Sequence, residues 1–146
     1  MLKVGDLAPP FEVKAHTGRT VRLSDYAGQT VVLWFYPKAD TPGCTMEGNG
    51  FCELNDAYEA KGVRILGVSF DTVEENAAFA EKFAFPYPLL CDTTRAIGLA
   101  YHACDKPQDV HARRITYVIG PDGRIKVAVG DVKAAEHPAS LLASLE

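Results

Sequence analysis

The sequence has few cysteines, no strongly basic stretch and no long hydrophobic run. Its four cysteines include no C-x-x-C pair and are too few for a disulfide scaffold in a chain of 146 residues. The longest basic run is Arg113-Arg114 and the formal net charge is −4, so no nucleic-acid partner is expected. No segment approaches the ~20 apolar residues that span a bilayer, and the N-terminus lacks the apolar core of a signal peptide. We therefore expect a cytoplasmic protein without a membrane segment.

The sequence also lacks the spacing of a zinc site. His102 and Cys104 stand close together, but no second ligand pair has the separation found in zinc fingers. We therefore expect no bound metal.

The hydrophobic pattern alternates between strand-like and helix-like segments. With 47% hydrophobic and 23% charged residues, the composition is ordinary for a globular protein, and we predict a single domain over residues 1–146. Alternating strands and helices predict an α/β three-layer sandwich around a central sheet, with strands 31–36, 63–70, 115–119 and 124–129 at its centre. The other predicted strands are a hairpin at 11–15 and 20–23 and a short strand at 89–91. Four helices are predicted: one at 45–61, one at 73–83, a short one that ends near residue 101, and a C-terminal one that starts at Pro138.

Cys44 follows a buried strand and a loop, and is predicted to lie in the first turn of a helix. Unpaired N–H groups and the helix dipole leave about half a positive charge there, which favours an anion. Cysteines in such positions have pKa values that fall from about 8.5 toward about 3.5–7.5, and the thiolate is the reactive form. A helical cysteine is more often a small buried apolar residue, so the surrounding residues decide between the two interpretations.

The loop before Cys44 fits a nucleophile. Pro37 lacks an N–H and has a rigid ring that can shield the thiol from water. Thr41 offers a hydroxyl that both donates and accepts hydrogen bonds. Gly43 lets a reactant approach the backbone closely.

A cation near the thiol would favour the thiolate further. Lys38 is the nearest lysine in the sequence. Arg114 is the better candidate because it precedes the strand 115–119 and could reach across the sheet with a planar fork of donors. The neighbouring Arg113 leaves that assignment uncertain by one residue.

The segment Phe35–Glu47, with proline, threonine and cysteine in a Pro-x-x-x-Thr-x-x-Cys frame, resembles the peroxidatic loop of peroxiredoxins. Its Thr-Pro-Gly-Cys-Thr form is similar to that of the bacterioferritin comigratory protein subfamily, also called PrxQ. The resemblance covers nearly the whole chain and extends to the segments Val4–Pro9, Leu66–Ser69, Phe79–Lys82, Leu89–Asp92 and Arg114–Ile119.

The resemblance implies a thioredoxin-like fold with a central mixed sheet and an N-terminal β-hairpin extension. It implies an antioxidant enzyme that reduces hydrogen peroxide and organic hydroperoxides without metal or flavin cofactor. Thioredoxin or another thiol would be the reductant, and the protein would be a monomer.

The resemblance also implies a role for each matched residue. Cys44 would be the peroxidatic cysteine, whose thiolate attacks the peroxide and becomes a sulfenic acid. Thr41 and Arg114 would hold the peroxide oxygens, and Pro37 would shield the site. Glu47 would support the site through a hydrogen bond to arginine or backbone.

The sequence departs from the family at the next step, because the resolving cysteine that many members carry five residues later is here Asn49. Cys104 lies in a polar loop and is expected to be the most mobile and accessible alternative. Cys91, at a strand end, is expected to be a buried small apolar residue. Reduction of the sulfenic acid by an external thiol, with no resolving cysteine, stays open.

Cys52 is the remaining alternative, and helix geometry weighs against it. Eight residues of helix rise about 12 Å, well beyond the ~7 Å Cα separation that a disulfide allows. Gly48 and Gly50 each cost about 1 kcal/mol relative to alanine in a helix, so local unwinding there should be cheap.

A second class of function is a non-catalytic binding or chaperone-like module on the same scaffold. A thiol–disulfide oxidoreductase is a further alternative, but it would need a C-x-x-C pair.

Overall fold

A computed structural model of the chain describes residues 1–145. These residues form seven strands, four α-helices and one 3-10 turn. Their bounds are β1 (Glu12–Lys14), β2 (Thr20–Arg22), the 3-10 turn (Leu23–Tyr26), β3 (Thr30–Phe35), α1 (Pro42–Ala60), β4 (Val63–Ser69), α2 (Val73–Phe83), β5 (Leu89–Cys91), α3 (Ala96–Ala100), β6 (Thr116–Ile119), β7 (Ile125–Val129) and α4 (His137–Ser144). None of the described helices combines the length and apolar character needed to cross a bilayer.

The central sheet has five strands in the order β5-β4-β3-β6-β7. Strand β3 pairs with β4 in parallel and with β6 antiparallel, so the sheet is mixed, as predicted. Strand β7 pairs only with β6 among these strands and lies at an edge, so its predicted central position is wrong. A hairpin strand that follows β6 directly in sequence takes the free outer side of β6, because β3 already occupies the inner side.

Strand β3 divides the core into two layers. Because successive strand residues point to opposite faces, Val31, Leu33 and Phe35 join one hydrophobic cluster while Val32, Trp34 and Tyr36 join the other. The second cluster is completed by α1, α2 and α4, and the first by α3, the N-terminal hairpin and the segment after α3. The sheet is therefore covered on both faces, which confirms the three-layer sandwich.

The hairpin β1–β2 packs against the edge strand β5. The backbone N–H of His16 donates to the carbonyl of Leu89 at 2.8 Å, and the N–H of Leu89 donates to Nδ1 of His16 at 3.0 Å. An antiparallel bridge between Ala15 and Leu90 extends this contact. The hairpin thereby covers an edge that would otherwise expose unpaired backbone groups.

Candidate active site

Helix α1 begins earlier than the predicted residue 45. Pro42 opens it, Thr41 is its N-cap with extended backbone, and the N–H of Thr45 donates to the Thr41 carbonyl at 2.8 Å. Proline is well suited to the first helical position because its missing N–H has no intrahelical partner there. Cys44 therefore lies in the first turn, as predicted, and its solvent exposure is 0%.

Arg114 brings a cation to the thiol from the other end of the sequence. It stands just before β6, the strand beside β3, and its Nη2 lies 3.5 Å from Sγ of Cys44. Arg113 faces away, donating to the carbonyl of His102 and pairing with Asp105. The structure therefore assigns the thiol contact to Arg114 and resolves the one-residue uncertainty.

The other terminal nitrogen of the Arg114 guanidinium, Nη1, donates to Glu47, which lies one helical turn after Cys44. Nη1 lies 2.9 Å from Oε1 of Glu47, whose side chain is fully buried. Its other oxygen, Oε2, has no hydrogen-bond partner among residues 1–145. Burial raises the pKa of Glu47 to about 7, and the hydrogen bond and charge of Arg114 oppose that rise. One guanidinium thus joins a buried thiol and a buried carboxyl.

Gly43 leaves room for this arrangement. A Cβ atom built on Gly43 would lie 2.8 Å from Nη2 of Arg114. The sequence suggested that this glycine admits a reactant, and the structure shows that it also admits the guanidinium.

Thr41 and Pro37 lie half-buried in the loop before α1. The hydroxyl of Thr41 donates to the carbonyl of Lys38 at 2.7 Å. With its hydrogen committed there, the Thr41 oxygen keeps its lone pairs available to accept a hydrogen bond from a bound molecule.

Lys38 is engaged away from the thiol. Its Nζ lies 2.6 Å from Oδ1 of Asp71 and 2.6 Å from Oε2 of Glu75. Asp71 is a residue of this region that sequence reasoning missed. Thr72 next to it is the N-cap of α2, and Asp71 turns toward the loop. Its position offered a signal, because the carboxyl ends of parallel neighbours such as β3 and β4 meet at one edge of a sheet.

The expectation that Cys104 is accessible is wrong. Cys104 is 5% exposed and belongs to the core cluster beneath the 102–113 loop. Its Sγ would lie 3.1 Å from a Cβ built on Gly98. The physical reason is that Arg113 and the backbone fold the loop inward, with the N–H of Arg113 donating to the Ala103 carbonyl at 2.7 Å.

The other cysteines are also free. Cys91 is buried, as predicted, with its Sγ 3.4 Å from Nδ2 of Asn76. Cys52 is half-buried and its Sγ lies 3.7 Å from the carbonyl of Ala84. Cys52 is therefore more exposed than Cys104.

Gly48 and Gly50 sit where other residues press on the helix. A Cβ on Gly48 would lie 2.6 Å from Cζ of Phe85, and one on Gly50 would lie 2.7 Å from Cγ of Pro138. Unwinding this part of α1 would therefore give up packing contacts as well as helical hydrogen bonds.

Within the part of the chain that the structure describes, no group of three or more His, Cys, Asp or Glu residues is arranged to hold a metal ion. The chemistry available at the site is that of a thiol, a guanidinium, a carboxyl and a hydroxyl.

Comparison with known proteins places the chain among relatives of the same length. It matches the AhpC/TSA family over residues 4–128. It is 34% identical to peroxiredoxin Bcp of Bacillus subtilis over 99% of this chain and 96% of the relative. It is 36% identical to peroxiredoxin Bcp of Escherichia coli K12 over 93% of this chain and 90% of the relative.

Solved structures give the same result. The peroxidoxin BcpB of Mycobacterium tuberculosis superposes with a TM-score of 0.91 at 33% identity, covering 99% of this chain and 97% of that chain. PrxQ of Xylella fastidiosa superposes with a TM-score of 0.92 at 32% identity, covering 99% and 96%. These likenesses confirm the thioredoxin-like fold predicted from the sequence. The chain belongs to the AhpC/TSA family and, within it, to the peroxiredoxins of the Bcp or PrxQ type.

Proposed function

We propose that the protein is a thiol-dependent peroxidase with Cys44 as its peroxidatic cysteine. The single observation that carries the assignment is the Arg114 guanidinium 3.5 Å from a buried thiol in the first turn of α1. The helix N-terminus and the guanidinium both place positive charge beside the sulfur, and the thiolate is the nucleophilic form of cysteine.

The Cys44 thiolate attacks the nearer oxygen of the peroxide. A sulfur–oxygen bond forms, the O–O bond breaks, and the departing oxygen takes a proton to leave as water or an alcohol. Cys44 is thereby oxidised to a sulfenic acid. In this step, one thiol and one hydroperoxide give one sulfenic acid and one molecule of water or alcohol.

The neighbouring groups stabilise charge as the O–O bond breaks. Arg114 donates to the negatively charged oxygen, and Thr41 accepts from the hydroperoxide O–H through its free lone pairs. Glu47 holds Arg114 in place from the far side at 2.9 Å. Pro37 limits access of water to the thiol.

We propose that a thioredoxin-like dithiol regenerates Cys44. Its first thiol condenses with the sulfenic acid, releasing water and forming a mixed disulfide. Its second thiol attacks that disulfide, leaving the reductant oxidised and Cys44 reduced. This one-cysteine route is favoured by the burial of Cys104 and by the helical separation of Cys52 from Cys44. An internal disulfide to either residue would require local unfolding first.

The substrate class we propose is hydrogen peroxide and organic hydroperoxides. The bacterioferritin comigratory protein of Xanthomonas campestris, 33% identical with a TM-score of 0.86, has alkyl peroxide reduction activity. We further propose that residues 1–146 act as one domain, as a monomer, in the cytoplasm. The four free cysteines suit a reducing compartment.

A coupled assay tests the activity. Wild type with thioredoxin and thioredoxin reductase should oxidise the reductant only when peroxide is present, and Cys44→Ser should be inactive. If the wild type consumes no peroxide, or the serine variant matches it, the proposal fails. A non-catalytic binding or chaperone-like module predicts that failure, and nothing in the family comparisons favours it.

Peptide mapping under non-reducing conditions separates the routes of regeneration. After one equivalent of peroxide, dimedone should label Cys44 and no internal crosslink should form. A crosslinked peptide joining Cys44 to Cys104 or Cys52 would show an internal resolving cysteine instead.

A further inference from the structure

We propose that Asp71 is a positioning residue for the loop 38–41, which carries Thr41 and leads into Cys44. The inference rests on the proposed peroxidase function and deepens it. Asp71 follows β4, the parallel neighbour of β3, so it lies beside the loop that leaves the carboxyl end of β3.

The carboxylate of Asp71 is 2% exposed and makes three polar contacts. Oδ2 accepts from the backbone N–H of Ala39 at 2.8 Å and from the hydroxyl of Ser69 at 2.7 Å. Oδ1 pairs with Nζ of Lys38 at 2.6 Å. Two consecutive loop residues are thus tied to one buried charge, and hydrogen bonds to buried charged groups are strong.

The tie continues from Lys38 to Thr41. The carbonyl of Lys38 accepts the Thr41 hydroxyl at 2.7 Å, so the orientation of that hydroxyl depends on where Lys38 is held. Thr41 is in turn the N-cap of α1, three residues before Cys44. Asp71 therefore acts on the thiol environment through the loop and not by contact with the thiol.

The loop conformation itself needs such an anchor. Asp40 adopts a positive φ of 58°, a backbone conformation that residues other than glycine adopt uncommonly, although aspartate tolerates it better than most. Backbone of this kind persists only where surrounding contacts hold it. Its own carboxylate pairs with Lys82 on α2 at 3.0 Å, but both side chains are about half exposed, and exposed pairs contribute little. The buried Asp71 is the stronger constraint.

The test uses two rates measured on Asp71→Asn. The substitution removes the negative charge and keeps the side-chain volume. We expect the rate of peroxide reduction to fall about tenfold, because misplacement of a catalytic group by an ångström can cost as much as 10²-fold. We expect the rate of Cys44 alkylation by iodoacetamide to rise several-fold, because a loosened loop exposes a thiol that is now buried.

Asp92→Asn is the matched control. Asp92 is a carboxylate of similar burial beyond the next strand, β5, and it accepts from the backbone N–H groups of Ile97 and Gly98 in α3. Asp92→Asn should leave both rates within about twofold of wild type, because the hydrogen bonds of Asp92 hold α3 and not the loop 38–41. The proposal is overturned if Asp71→Asn keeps the wild-type peroxide rate, or if its two rates fall together instead of moving in opposite directions.

Lys38→Met provides a second variant should Asp71→Asn not fold. It removes the solvent-exposed partner of the ion pair. The rate of peroxide reduction should fall about threefold and the rate of Cys44 alkylation should rise about threefold. Unchanged rates would overturn the proposal. Alkylation needs no peroxide. If the wild type consumes no peroxide, the proposed activity is wrong. The alkylation rates would still decide whether Asp71 holds the loop.

Discussion

Gly43 and Arg114 are matched in space. A Cβ atom at position 43 would lie 2.8 Å from Nη2 of Arg114, the same nitrogen that approaches the Cys44 thiol at 3.5 Å. Glycine at this point of the helix is therefore a condition for the contact between cation and thiol.

Gly43→Ala should separate reactivity from stability. Nη2 lies at the end of a flexible side chain and can turn away from the new methyl group while Nη1 keeps its hydrogen bond to Glu47, so the free energy of unfolding should stay within about 1 kcal/mol of wild type. The second-order rate with hydrogen peroxide should fall roughly tenfold, because the displaced guanidinium no longer stabilises the thiolate or the departing oxygen. Stopped-flow peroxide kinetics and urea unfolding measure the two effects. An unchanged peroxide rate would show that the Arg114 contact does not matter for reactivity.

Glu47→Gln should change how the reaction depends on pH. Burial raises the pKa of Glu47 to about 7, so its carboxyl becomes more ionised as pH rises through neutrality and then competes with the thiolate for the charge of Arg114. The glutamine variant keeps an acceptor for Nη1 but does not ionise. The ratio of its peroxide rate to that of wild type should rise about threefold between pH 6 and pH 8.

Glu53→Gln, at an exposed position of the same helix, is the control for that experiment. Its ratio to wild type should stay flat across the range. A flat ratio for Glu47→Gln as well would mean that ionisation of Glu47 does not influence the thiol.

Gly48→Ala and Gly50→Ala should each destabilise the protein, against the usual effect of this substitution in helices. The new methyl groups would meet the Phe85 ring at 2.6 Å and the Pro138 ring at 2.7 Å. Overpacking costs about 1–3 kcal/mol, which exceeds the gain of about 1 kcal/mol in helix propensity. Urea unfolding should show a net loss of about 1 kcal/mol for each, while Asp56→Ala at an exposed position should not. A gain in stability at position 48 or 50 would contradict the packing seen here.

His137 should make the protein less stable in mild acid. Burial lowers its pKa to about 4, and Nε2 lies 2.9 Å from the hydroxyl of Thr116. Because the folded-state pKa lies below the ordinary 6.5, this contribution to stability is fully present above pH 6.5 and is lost as pH falls toward 4. It should reach roughly 2 kcal/mol between pH 7 and pH 4.5. Urea unfolding of His137→Gln at these two pH values should show a decline smaller by that amount.

The exposed His111 supplies the comparison, because His111→Gln should decline as steeply as wild type. Equal declines for His137→Gln and wild type would show that buried His137 does not set the acid sensitivity.

The local pattern of the sequence was enough to predict most elements and the position of Cys44 within them. The apolar run of β3 and the bounds of α2 follow from periodicity and capping, which are local properties. The start of α1 could also have been placed at Pro42, since proline is common at the first helical position.

The features that the sequence did not predict depend on contacts between distant segments. Cys104 lies in a polar segment, and its burial follows from how Arg113 and Asp105 fold that segment back on itself. The ion pair between Lys38 and Asp71 joins residues that are 33 positions apart in the sequence. No local pattern in the sequence predicts it. The sequence suggested an accessible thiol at Cys104 and a lysine, Lys38, that could serve as the partner of the Cys44 thiol, and the tertiary contacts bury the first and pair the second with Asp71.

The most direct test of Cys44 as the residue that reacts with peroxide is a single turnover without reductant, followed by mass spectrometry. Wild type should consume about one equivalent of hydrogen peroxide and gain the mass of one oxygen atom on the peptide that contains Cys44. Cys44→Ser, which keeps the other three cysteines, should consume none on the same timescale. Oxygen found first on Cys52, Cys91 or Cys104, or equal consumption by Cys44→Ser, would contradict the assignment of Cys44 as the residue that reacts with peroxide.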